Sequence, residues 1–152
     1  MNIQKIYIDT SVIGGCFDKE FKLWSNSLIE DIKNGIFIPV LSEVVGSEIE
    51  SAPERIKLKY FEILQHNSIF LELTDEAVML AKEYQKRGIL PEKFFEDGLH
   101  IALATINKVD LLVSWNFKHI VRFDKIRLFN AVNLEMGYKT IEIYSPMEVT
   151  NA

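Results

Sequence analysis

Four oxygen-bearing side chains stand where apolar stretches of this chain begin or end. Asp9 closes Ile6-Tyr7-Ile8 and is followed by Thr10 and Ser11. Glu48 lies a few residues beyond the run Ile36 to Ser42. Asp97 opens the apolar pattern Leu99-His100-Ile101-Ala102-Leu103-Ala104, and Asn116 comes just after Leu111-Leu112-Val113-Ser114-Trp115. In a parallel α/β sheet, strand C-termini and the helices beside them converge on one crevice. Acids far apart in sequence could meet there. A cluster of carboxylate oxygens is what a hard divalent cation such as Mg²⁺ requires. The chemistry this spacing points to is metal-dependent hydrolysis, with phosphodiester cleavage the leading reaction.

The elements that must position these groups alternate between the two periods. Lys5 to Asp9, Ile36 to Leu41, Ser68 to Leu73, Leu111 to Ser114 and Lys139 to Tyr144 read as strands. Pro39 marks its strand as an edge or a strand end. Helix patterns run from about Glu20 to Asn34, from a Ser42 cap through Ile49, from Pro53 to Gln65, and from a Thr74 cap to Gly88. Asp97 to Ile106 is a strongly apolar helix. A short helix is expected from Phe117 to Val121, and another over Phe129 to Met136, stopped by Gly137. Strands alternating with helices predict an α/β fold in three layers, with a mostly parallel sheet flanked by helices. No repeat or linker interrupts residues 1–152, which read as a single domain.

A chain of 152 residues with 48% hydrophobic and 26% charged residues can bury a core without disulfides or a structural metal. Cys16 has no cysteine partner and no nearby histidine to activate it, so it reads as a small packed residue. No stretch approaches the length of a membrane span, and the N-terminus lacks the regions of a signal peptide. The expected setting is the cytoplasm. A net charge of -5 argues against nonspecific DNA binding through phosphate neutralisation alone, but not against a nuclease whose acids hold cations.

Each candidate has a structural alternative. Asp9 could cap a helix, although Thr10 or Ser11 could do so and leave Asp9 free. Asp97 could likewise be a cap favoured by the helix dipole. His100, three residues on, shares a helix face with Asp97 and reads as a metal ligand, a carboxylate orienter or a bonded core histidine. Glu48 is preferred over Glu43, which the first turn of a helix explains. Glu50, Glu54 and Glu96 read as solvated. Asn116 offers an uncharged oxygen, or merely a turn, and Ser114 could hold a metal-bound water. Asp110 reads as a cap at the opposite strand end. Lys118, His119 and Arg122 could meet phosphates or line a solvated face. Phe21 and Trp24 fall at core spacing.

Together, Asp9-Thr10-Ser11-Val12, Ser42 with Glu48, the stretch Asp97 to Ala104 and Leu112 to Asn116 resemble the PIN domain family, in its order and across nearly the whole chain. The resemblance implies a parallel sheet flanked by helices and a Mg²⁺- or Mn²⁺-dependent endoribonuclease, with many relatives acting as toxins of VapC-like toxin–antitoxin pairs. It assigns the family's first three acids to Asp9, Glu48 and Asp97 as metal ligands. Asn116 takes the place of the fourth, usually an Asp, which weakens a second metal site. Ser114 to His119 is similar to a PIN subgroup that carries Asn there. Thr10, Ser114 and His100 would support the site. The partners implied are an RNA substrate, an antitoxin protein and a second copy in a homodimer.

Two other readings compete. A haloacid dehalogenase-type phosphatase also starts from an Asp after the first strand, but needs a second Asp where this chain has Ser11. A catalytically weakened PIN-like domain would bind RNA or protein without cleaving it.

Overall fold

The strands that were expected to carry the acids are buried without alternation. Ile6, Tyr7 and Ile8 are wholly buried, as are Leu112 and Val113. Such strands must be covered on both faces, the situation of a parallel sheet under two helical layers. The computed structural model, which describes residues 2–152, has this architecture. Strands β1 (Gln4–Ile8), β2 (Phe37–Ser42), β3 (Ile69–Leu71), β4 (Leu111–Val113) and β5 (Glu142–Tyr144) form one sheet in the order β3-β2-β1-β4-β5. Every pairing is parallel.

The helices are α1 (Thr10–Gly15), α2 (Lys22–Lys33), α3 (Glu43–Ile49), α4 (Glu54–Leu64), α5 (Asp75–Lys86), α6 (Phe95–Ile106), α7 (Phe123–Glu135) and α8 (Pro146–Val149). They pack in two groups. Helices α1, α2 and α4 contact one another, α8 packs on α2, and α5 packs on α6 and α7. Helix α3 touches both α4 and α6. Helix α6 is buried at every residue from Gly98 to Thr105, so it behaves as a core element rather than an amphipathic one. No helix among the described residues is long and apolar enough to cross a membrane.

Several local features follow from residue chemistry. Ser42 and Thr74 cap α3 and α5 through their side chains, as their sequence positions suggest. Gly35 ends α2 with φ +77°, a conformation that costs glycine nothing. Asp110 accepts the Lys5 N–H at 2.7 Å and so clamps β1 to β4 at the end away from Asp9.

Three expectations need correction, and two short helices were not expected. β2 is not an edge strand. β3 pairs with it only from Val40 onward, however, so at Pro39 the strand is flanked by β1 alone and the missing N–H is tolerated. Residues 117–121 form turns, not a helix. α7 begins at Phe123, six residues before its apolar pattern becomes visible, because its first turn is largely solvated. α8, stapled by the reciprocal Ser145–Glu148 capping box, and the short α1 leave little periodic signal.

Candidate active site

Strand order reverses between β1 and β4, and a parallel sheet opens a crevice beyond the strand C-termini at such a point. Asp9 leaves β1 there and Ser114 leaves β4. The two are tied together: the Ser114 hydroxyl donates to Asp9 Oδ2 at 2.6 Å. Ser11 donates to Oδ1 at 2.6 Å, and the Val12 N–H reaches the same oxygen at 3.3 Å. Asp9 is therefore itself the N-cap of α1. Thr10 and Ser11 do not take that place: Ser11 supports Asp9, and Thr10 turns to Glu48. The Ser114 hydroxyl hydrogen is committed to Asp9, and its oxygen accepts the Asn116 N–H at 2.9 Å. A metal-bound water could reach Ser114 only by donating to its remaining lone pair.

Glu48 comes from α3. Thr10 Oγ1 and His100 Nε2 both reach its Oε1 at 2.7 Å. Glu43 is exposed, whereas Glu48 is half-buried against these partners. Asp97 lies in the first turn of α6, whose N-cap is Phe94, so it is not a cap. Its Oδ2 accepts Asn116 Nδ2 at 3.2 Å, and Asn116 Oδ1 accepts the His119 N–H at 2.9 Å. That second bond is what makes residues 117–121 a turn.

The electrostatics follow from burial and mutual repulsion. Burial pushes the Asp9 carboxyl above its ordinary range, against the pull of His100 and its hydroxyl donors. Burial pushes Asp97 up to about 6; the charges of Asp9 and Glu48 add to this, and His100 and Asn116 oppose it. Burial also raises Glu48, but hydrogen bonds from His100 and Thr10 outweigh it and hold this carboxyl low. Burial pulls His100 down, yet Glu48, Asp9 and Asp97 hold it above the usual imidazole range. Among the described residues no Lys or Arg pairs with any of the three carboxylates. Their charge is met by one buried histidine.

That imbalance tests the fit of a cation. Three hard-oxygen donors repel one another in a partly dry crevice, which suits a hard divalent ion. Among the described residues, no three His, Cys, Asp or Glu side chains are already gathered closely enough to hold a metal ion. Mg²⁺ keeps several waters and takes few direct carboxylates, so a spaced donor set is compatible with it.

The sequence matches no protein-family model and no curated protein. Solved structures do match. The VapBC2 complex of Rickettsia felis, bound to a DNA fragment from its promoter, superposes with a TM-score of 0.58 at 14% identity, over 93% of this chain and 98% of that one. FitAcB from Neisseria gonorrhoeae gives 0.57 at 12% identity, over 93% and 98%. Mycobacterium tuberculosis VapC20, a sarcin-ricin loop cleaving toxin, gives 0.54 at 12% identity, over 90% and 98%. The chain has the PIN-domain fold.

Around this PIN-fold crevice lie contacts between separate elements that sequence reasoning did not reach. Tyr7 and Ser42 are wholly buried and join His100 in a polar chain. Trp115 stacks on Phe21 with ring centroids 4.1 Å apart and donates through Nε1 to Ser25 Oγ at 2.8 Å. Its backbone N–H reaches Ser11 Oγ at 2.9 Å, so the aromatic cluster braces the hydroxyl that braces Asp9. Gly15 permits this: a Cβ there would lie 2.6 Å from both Ser25 Oγ and Trp115 Nε1. His119 is buried against Phe94, while Lys118 and Arg122 face solvent, with Arg122 paired to Asp124. Cys16 is buried at the end of α1.

Proposed function

We propose that this chain is a Mg²⁺- or Mn²⁺-dependent endoribonuclease and the toxin of a toxin–antitoxin pair, acting as one domain in the cytoplasm. One observation carries the reading: Asp9, Glu48 and Asp97 lie close enough to raise one another's charge cost, and among the described residues no lysine or arginine pairs with them. A site built this way repels a polyanion unless a cation intervenes. The fold shared with VapC20, a toxin that cleaves the sarcin-ricin loop, and with VapBC2 supports RNA as substrate and an antitoxin as partner. A homodimer is part of the same proposal.

Asp9, Glu48 and Asp97 would hold the ion, with the Asn116 amide oxygen as the neutral fourth donor. When bound, the ion supplies a water of lowered pKa and positive charge beside the phosphate. The chain's own residues do the rest. Ser11 and Ser114 fix Asp9. Thr10 and His100 fix Glu48. Asn116 meets Asp97, and the raised carboxyl of Asp97 would be held ionised by the cation it helps to bind.

Asn116 favours a second reading, a domain that binds RNA without cutting it. Its amide donates to Asp97, a bond that an ionised acid could not make. Incubating a pool of single-stranded and structured RNA with the chain in Mg²⁺, Mn²⁺ or EDTA separates the two. Cleavage in either metal and none in EDTA supports the nuclease. RNA retention without cleavage in any buffer supports the binding module.

A further inference from the structure

Glu48 and Asp97 belong to different helices, and nothing in either helix alone sets their relation. A closed polar circuit does. Tyr7 OH lies 2.7 Å from Ser42 Oγ and 2.7 Å from His100 Nδ1, and His100 Nε2 lies 2.7 Å from Glu48 Oε1. Ser42 caps α3, the helix that carries Glu48; its Oγ accepts the Val45 N–H at 3.3 Å. His100 is on α6, one turn from Asp97. Tyr7 is on β1, two residues before Asp9. The circuit thus joins all three elements that bear carboxylates, and Tyr7, Ser42 and His100 are each at most 2% exposed.

One link of the circuit has a fixed direction. An ionised carboxylate only accepts hydrogen bonds, so Nε2 must carry the hydrogen that meets Glu48. In the neutral ring Nδ1 then accepts from Tyr7, Tyr7 accepts from Ser42, and Ser42 accepts from the α3 backbone. If the ring gains a second proton, the Tyr7 bond reverses and the Nε2–H bond to Glu48 stays. Both ring nitrogens are thereby spoken for. Thr10 donates to the same Oε1, so Oε2 is the oxygen not taken by these two donors, with the Glu96 carboxyl also beside Glu48.

We propose that His100 is a positioning residue, not a metal ligand: held by Tyr7 and Ser42, it grips Glu48 Oε1 through Nε2–H so that Oε2 is offered to a divalent cation. This rests on the metal-dependent reading above. Partners of this kind behind a ligating group change metal affinity by about 10–100-fold when lost.

The test has two arms, both on the full chain. Binding of Mn²⁺ alone, followed by electron paramagnetic resonance, compares wild type with His100→Gln and His100→Asn, with melting curves beside them. Gln can place an amide donor where Nε2 stood; Asn reaches only the Nδ1 position. The expectation is affinity within about threefold of wild type for H100Q and a loss of about tenfold or more for H100N. Equal affinities in all three, or equal losses in both variants, overturn the proposal. The second arm needs no metal, and its variants serve only to assign a signal. Nitrogen-15 NMR of the metal-free wild type should show the His100 ring protonated at Nε2, the signal being assigned by its absence in whichever of H100Q and H100N keeps the wild-type fold. A ring protonated only at Nδ1 overturns the circuit outright. Wild type that binds no Mn²⁺ but shows Nε2–H would sink the metal-dependent function and leave the circuit standing.

Discussion

Replacing Asp97 by Asn should stabilise the metal-free protein while it destroys the site. Asp97 is pushed from its ordinary 3.8 up to about 6, first by burial and then by Asp9 and Glu48. A carboxyl whose folded pKa is raised is protonated more readily in the native state. Folding stability therefore falls as pH rises from about 4 through 6 and stays low above that. The full shift is worth about 3 kcal/mol at pH 8. Partial exposure of Asp97 screens it, and about half of that is a sounder figure. Asn at 97 removes the penalty and still accepts the amide of Asn116. For a chain of this length each kcal/mol moves the melting point by about 2–4 °C. D97N should then melt roughly 3–6 °C above wild type at pH 8 in EDTA. At pH 4 most of that gap should vanish. Differential scanning fluorimetry across pH 4 to 8 reads it directly. A variant less stable than wild type at every pH, or a gap that does not change with pH, would show that Asp97 is not strained by its neighbours.

Adding Mn²⁺ should raise the melting point of the wild type, by up to about 2.7 kcal/mol of stability at a hundredfold excess over Kd, and barely move D97N; equal shifts would place the ion elsewhere. Asn116→Asp loses the amide donor to Asp97 and adds a fourth charge, so it should cost about 1–2 kcal/mol in EDTA and recover in Mn²⁺, as thermal melts with and without the ion would show. Gly15→Ala drives a Cβ into the Trp115–Ser25 hydrogen bond and should lower stability by about 1–3 kcal/mol in urea titration; an unchanged midpoint would mean that the aromatic cluster can give way.

The parts of this molecule that were legible in its sequence are those written in contiguous residues. The apolar runs that end at Asp9 and Ser114 fix two strand ends. Ser42 and Thr74 announce their helices because an N-cap acts within three residues. Glu48 could be chosen over Glu43 because Val44, Val45 and Ile49 define the inward face of one short helix. The supporting web was not legible, since its partners come from separate elements. Ser114 reaches Asp9 across 105 positions and Tyr7 reaches His100 across 93. A tyrosine inside an apolar strand looks like core until the helix above it is seen to present a histidine. Residues 117–121 show the opposite failure: their spacing suits a helix, but the Asn116 side chain accepts the His119 N–H and stops the chain in a turn. Pro39 reads as an edge residue because sequence does not reveal that β3 starts one residue further along.

The central claim is that these three carboxylates make an RNA-cleaving metal site. The most direct test is cleavage of a mixed RNA pool in Mn²⁺ by wild type, Asp9→Asn, Glu48→Gln and Asp97→Asn, with RNA binding measured in parallel. The account expects cutting by wild type alone, lost in EDTA, with all four proteins folded and still able to bind RNA. Full metal-dependent cleavage by Asp9→Asn or Asp97→Asn would contradict it.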